Sequence, residues 1–148
     1  MRISVIGGGA VPPETEGIAE AVGRVIGERG HVLVCGGRGG VMVAACRGAK
    51  EAGGRTIGIL PGNDPRAGND HLDCAIATGM GDARNALVAL NGDAAIAIDG
   101  AMGTLSEIAL VLNDGKPVAG LGTHDVPGVE AVDTPEEAVA YVEEASQR

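Results

Sequence analysis

Short apolar runs alternate with helical segments along the whole chain, and this alternation constrains the fold more than any other feature. Ile3-Ser4-Val5-Ile6, His31 to Cys35, Arg55 to Leu60, Ala94 to Ile98 and Pro117 to Leu121 read as strands, with Leu72 to Ala77 as a short further one. Between them, apolar residues recur at i, i+3, i+4 and i+7, the spacing of one helical face. Those faces are Ile18, Ala21, Val22 and Val25; Met42, Ala45, Cys46 and Ala49; Ala83, Ala86, Leu87 and Leu90; Leu105, Ile108, Ala109 and Leu112; and Ala138, Tyr141, Val142 and Ala145. Each is expected to point inward. The strand runs are apolar on both sides, as double burial requires. Strand–helix–strand units close right-handed around a parallel sheet. The expected fold is therefore α/β: a doubly wound parallel sheet flanked by helices on both faces.

The helices carry their own boundaries. Gly30, Gly53-Gly54, Asn91-Gly92 and Gly115 fit helix stops. Thr134-Pro135-Glu136-Glu137 combines an N-cap, a proline at the first helical position and a capping-box glutamate. Pro61 to Asp70 reads as an exposed loop, with His71 and Cys74 at its margin as a lid or rim. No repeat or linker divides the chain, so residues 1–148 are expected to form a single Rossmann-like domain. Tyr141 is the only aromatic residue, which leaves Val, Ile, Leu, Ala and Met to build the core.

The net charge of −9 repels polyanions, so neither nucleic acid nor an anionic membrane is an expected partner. The first apolar run is too short for a signal peptide, and no stretch reaches the length of a membrane span. Cys35, Cys46 and Cys74 are odd in number and form no CxxC pair, which fits reduced thiols in a cytoplasmic protein. Cys35 and Cys46 fall on faces expected in the core. The three histidines lack metal-ligand spacing, and the His71/Cys74 pair supplies too few ligands for zinc, so no metal site is expected.

Ligands of such sheets bind outside the strand C-termini. Three small-residue turns fall there: Gly7-Gly8-Gly9, Gly36-Gly37-Arg38-Gly39-Gly40 and Gly100-Ala101-Met102-Gly103-Thr104. Free N–H groups at Gly103, Thr104, Gly39 and Gly40, aided by a helix dipole, suit a phosphate. Gly8 and Gly9 either approach that ligand or serve close packing. Glu107 sits about one turn inside the following helix. It either acts on the ligand or closes a capping box with Thr104. Arg84 either reaches the ligand or pairs with Asp82 or Asp99. A dinucleotide GxGxxG is not met, because Pro12 and Met42 occupy the third positions, and no GxxxxGK[ST] is present.

Taken together, the turns resemble a known superfamily. Cys35-Gly36-Gly37-Arg38-Gly39-Gly40-Val41-Met42 resembles the GGxxGxM turn of the "Lonely guy" superfamily, once labelled lysine decarboxylase-like. Gly100 to Glu107 resembles its GGxGTxxE motif, and Gly81-Asp82-Ala83-Arg84-Asn85 the segment carrying its functional arginine. The resemblance covers Ile3 to about Gly122. It implies a homodimer or higher homo-oligomer and a small phosphorylated ligand, either an AMP-like nucleotide or the molybdenum cofactor, with no other cofactor required.

Two activities follow from the resemblance. One is hydrolysis of a nucleoside 5′-monophosphate to base and ribose 5-phosphate, with Arg84 and Glu107 as catalytic residues. The other is a non-catalytic carrier or sensor of a phosphorylated cofactor. Gly8, Gly9, Gly36, Gly37, Gly39, Gly40, Met42, Asn85, Asp99, Gly100, Gly103 and Thr104 are the implied ligand-binding positions. Asn85 stands where the hydrolases carry lysine, Ala101 replaces a motif glycine, and Asp99 replaces an uncharged residue. These departures favour the carrier branch, and a carboxylate at Asp99 would repel a phosphate beside it.

Overall fold

The computed structural model describes residues 1–148. In chain order it comprises β1 (Arg2–Gly7), α1 (Pro13–Glu28), β2 (Val32–Cys35), α2 (Val41–Glu51), β3 (Arg55–Leu60), β4 (Cys74–Ala77), α3 (Asn85–Asn91), β5 (Ala94–Ile98), α4 (Met102–Asn113), β6 (Val118–Leu121), β7 (Val129–Ala131) and α5 (Pro135–Ala145). Short 3-10 turns occupy Pro65–Ala67 and Gly81–Arg84. The seven strands form one sheet in the order β4-β3-β2-β1-β5-β6-β7, and every neighbouring pair is parallel. The chain winds outward from β1 to β4, then returns to lay β5 on the other side of β1, with Gly7 opposite Ile98. That reversal is the topological switch point, where the loops diverge and leave a crevice. β7 escapes the sequence pattern because it is only three residues long and lies on the far edge.

Alternation along the strands divides the core. Ile3, Val5, Leu33, Cys35, Ile96 and Ile98 pack with α1, α2 and α5 in a cluster of 21 buried residues, against 10 on the face covered by α3 and α4. The larger cluster rests on glycines. A methyl group at Gly23 would lie 1.9 Å from the Ala45 carbonyl oxygen, and one at Gly48 would lie 2.0 Å from that of Glu20. α1 buries Val22 and Val25 as expected, together with Ala19, Gly23, Ile26 and Gly27, while Ile18, expected inside, is exposed. α5 keeps its expected cap, Thr134 Oγ1 accepting from the Glu137 N–H at 3.1 Å.

The other two corrections concern α3 and α4. α3 buries Asn85, Val88 and Ala89, while Ala86 and Leu90, expected inside, are exposed. α4 buries Thr104, Glu107, Ile108 and Val111, leaving Ala109 exposed and Leu105 half-buried. Both helices are apolar on more than one side, so periodicity alone does not choose the buried face. Asn85, Thr104 and Glu107 turn inward to line the crevice. No helix is long and apolar enough to cross a membrane. Cys35 and Cys46 are buried with sulfurs 3.5 Å apart, and Cys74 lies exposed on the edge strand.

Candidate functional site

The C-terminal end of β1 opens into a crevice of about 200 Å³ floored by Val5, Ile6 and Gly7. Gly8 and Gly9 form one wall, and Gly36 with Met42 another. Asp82, Arg84 and Asn85 enter from the turn that opens α3, and Ala101, Gly103, Thr104 and Glu107 from the start of α4. A larger hollow of about 650 Å³ opens at the opposite end of the sheet, beside Met1, Asp93 and Lys116. It contains none of the glycine turns, and its Glu143 is already paired with Arg29 and His31. The smaller crevice is the candidate site, because the glycine turns and motif residues converge there.

Local sequence explains the turn before α4. Gly100 has φ +112, and a methyl group there would lie 2.3 Å from Thr104 Oγ1, so only glycine fits. Ala101, by contrast, has φ −120 and accepts a Cβ without strain. The substitution of this motif glycine is therefore geometrically silent. Helix α4 begins at Met102 with no side-chain cap bond. The Thr104–Glu107 capping box does not form, because both residues already lie inside the helix.

The second glycine turn packs more than it lines. A methyl group at Gly40 would lie 2.2 Å from the Gly8 carbonyl oxygen, and one at Gly39 would lie 3.1 Å from that of Gly9. The Gly37 N–H donates to Cys35 Sγ at 3.3 Å. Gly37, Gly39, Gly40 and Gly100 thus let the turns nest and stand behind the crevice wall; Gly36, Gly8 and Gly9 reach it instead. Asp99, with φ +52, is held by Thr123 Oγ1 donating to its carbonyl at 2.7 Å. It lines a separate hollow with Leu121 and Asp133, so it does not oppose an anion in the crevice.

Arg84 is fixed in place. Its Nε donates to the Ile59 carbonyl at 3.0 Å, Nη2 to the Gly36 carbonyl at 3.4 Å, and Nη1 to Asn85 Oδ1. It makes no ion pair, with Asp82, Asp99 or any other acid. Two of its five N–H groups are left for a ligand. Asn85 Nδ2 lies 3.5 Å from Ser106 Oγ, which donates to the Gly103 carbonyl at 2.7 Å, tying α3 to the start of α4.

Glu107 is 8% exposed and has no hydrogen-bond partner of its own. Burial pushes its carboxyl up to about 7, with the Arg84 charge offsetting part of the rise. The crevice therefore holds one immobilised cation, two acidic side chains (Asp82 and Glu107, the latter poised near neutrality) and several backbone amides at a helix start. That set suits an anionic oxygen ligand. Of the implied positions, Gly8, Gly9, Gly36, Met42, Arg84, Asn85, Gly103, Thr104 and Glu107 line the crevice. Sequence reading missed Asp82 and Ala101 as lining residues, although both lie inside motif segments.

A family model described as the SLOG cluster4 family matches residues 1–148. The structure of a molybdenum cofactor binding protein from Rippkaea orientalis is 37% identical, with a TM-score of 0.91, covering 97% of this chain and 95% of that one. The molybdenum cofactor carrier protein of Chlamydomonas reinhardtii is 34% identical, with a TM-score of 0.87, covering 99% and 98%. A cytokinin riboside 5′-monophosphate phosphoribohydrolase of Mycobacterium tuberculosis is 36% identical over 74% of this chain and 58% of that protein.

Proposed function

The chain belongs to the SLOG cluster4 family, and on that premise we propose that it carries a phosphorylated cofactor, with the molybdenum cofactor as the first candidate. The observation behind this reading is that similarity to the two cofactor-binding proteins runs through nearly the whole of both chains. The phosphate of the ligand would lie against the amides of Gly8, Gly9, Gly103 and Thr104 and the free N–H groups of Arg84. A crevice of about 200 Å³ falls below the roughly 300–1,000 Å³ usual for a small-molecule site. A single chain thus encloses only the phosphate end. The test is anaerobic loading with molybdenum cofactor released from a molybdenum enzyme, then desalting and measurement of bound molybdenum and pterin. About one of each per chain is expected, falling to background in Arg84→Ala; background values in the wild type would refute the carrier reading.

We further propose that copies associate through the outer side of α3 and α4. Leu90 is 62% exposed, Met102 72% and Leu110 38%. Neither helix carries a charge except the buried Glu107. On a chain of net charge −9, an uncharged face is where like copies can meet without repulsion. Met102, beside the crevice mouth, would bring the second copy to the rim of the ligand.

The second reading is hydrolysis of a nucleoside 5′-monophosphate. Glu107 favours it, since a carboxyl titrating near neutrality beside Arg84 suits proton transfer to a departing base. Incubation with AMP separates the two. Retention without release of adenine supports the carrier, and release of adenine that Glu107→Gln abolishes supports the hydrolase.

A further inference from the structure

We propose that Glu107 couples anion binding in the crevice to uptake of a proton, so that the ligand is taken up with Glu107 as the neutral acid and released as that acid ionises. The inference rests on the anion-seat reading above and adds its regulation.

The Glu107 carboxyl lines the same crevice as the Gly8-Gly9 turn, Arg84, Gly103 and Thr104. The residue is largely buried, its carboxyl oxygens reach solvent only through the crevice and receive no hydrogen bond, and Arg84 is the only cation that offsets their charge. Thr104 and Glu107 are three residues apart on α4 and so lie on one face. An anion seated on the amides at the helix start is therefore within a helical turn of the carboxyl. The other groups facing it do not relieve the repulsion. From the turn before α3 come Arg84, already divided among three acceptors, and Asp82, itself acidic. From β2 comes the Cys35 thiol, whose ionisation Glu107 opposes. The lining residues of β1, α2 and α3 are Val5, Ile6, Gly7, Met42 and Asn85, none of which carries charge. An ionised Glu107 leaves the crevice with more negative than positive charge. The neutral acid removes that imbalance and offers an O–H to an anionic oxygen of the ligand.

Burial already places the Glu107 carboxyl near 7 in the free protein, and a neighbouring anion can only raise it. No covalent step is involved: a proton moves from solvent to the carboxylate on binding and returns on release. Below neutrality Glu107 is the neutral acid and the site holds an anion tightly, and above it the ionised carboxylate weakens that hold. The tie to chemistry is selective, because a neutral ligand of the same shape gains nothing from protonation.

The test uses sulfate, a phosphate-like anion that does not itself titrate near neutrality. Carboxyl-carbon NMR follows the Glu107 midpoint, and backbone amide shifts report sulfate binding at Gly8, Gly9, Gly103 and Thr104. Saturating sulfate is expected to raise the midpoint by about one pH unit or more. Wild-type affinity for sulfate is expected to fall roughly sixfold or more between pH 6.5 and 8.5, following linkage to one proton, and that of Glu107→Gln less than twofold. A midpoint in the ordinary carboxylate range, or one that sulfate leaves unmoved while the amides respond, overturns the coupling and leaves the anion seat standing. Amides that never respond to sulfate remove the seat itself, and with it both the coupling and the proposed function. The midpoint measurement on wild type stands even if Glu107→Gln fails to fold.

Discussion

The two faces of the sheet are built to different ends. On the side of α1, α2 and α5, glycines bring helices into backbone contact, 21 buried residues interlock, and the surface is closed by ion pairs such as Arg24 with Glu20 and Glu51, and Arg47 with Glu20. On the side of α3 and α4 the buried cluster is half that size, the outer surface carries apolar side chains, and polar residues point inward. Apolar residues inside and charged ones outside hold throughout the first face; on the second, Val88, Ala89, Ile108 and Val111 still pack on the sheet, but three polar residues share the interior with them. The difference marks the face that carries the candidate site: Asn85, Thr104 and Glu107 occupy core-facing positions that packing alone would give to leucine, and apolar residues such as Leu90 lie outward.

The largest expected effect breaks the first face. Gly23→Val pushes side-chain atoms into the Ala45 carbonyl and should cost about 3 kcal/mol or more in denaturant unfolding. If it is tolerated, the tight α1–α2 contact is not what holds that face. Next comes Glu107. Its folded carboxyl titrates at about 7 against an ordinary value of 4.5, so the native state binds more protons than the unfolded chain between those values. Stability from this group is complete below about pH 4.5 and is lost as pH rises through 7. Glu107→Gln should therefore match wild type near pH 4 and exceed it by on the order of 3 kcal/mol at pH 8. Parallel stability profiles for the two proteins would contradict the burial argument.

Smaller effects sharpen the contrast. Leu90→Lys on the outer side of α3 should change monomer stability by less than about 0.5 kcal/mol, yet reduce the sedimenting mass to that of one chain. An unchanged assembly would clear α3 of any role in association. Smallest of all is Gly9→Ala. Nothing lies within 4 Å of the added methyl group, so stability should hold within about 0.5 kcal/mol. Its effect should appear only as weaker ligand retention, since the methyl group narrows the crevice.

The fold was legible because parallel strands buried on both faces leave continuous apolar runs, and β1, β2, β3, β5 and β6 fall where those runs predict. Helix facing was legible only in part. Gly23 and Gly48 carry the α1–α2 contact but register as gaps in a hydrophobic pattern, so α1 turns away from Ile18. Leu90 and Ala109 read as core because periodicity cannot separate a face that meets the sheet from one left for another surface. At the crevice, the lining comes mostly from the motif segments, but spacing could not distinguish glycines that line it from those that nest behind it. Gly36 and Gly40 look alike in sequence; a φ of +60 and contact with the Gly8 carbonyl set Gly40 apart, whereas Gly36 abuts Arg84 and Met42. Asp99 was misleading for a similar reason, since its left-handed φ carries the side chain into a neighbouring hollow.

The most direct measurement is the crystal structure of the protein after loading with molybdenum cofactor. The account predicts the cofactor phosphate on the amides of Gly8, Gly9, Gly103 and Thr104, within hydrogen-bond reach of Arg84. Cofactor bound in the larger hollow beside Met1 and Lys116, or a crevice into which no anion enters, would contradict it.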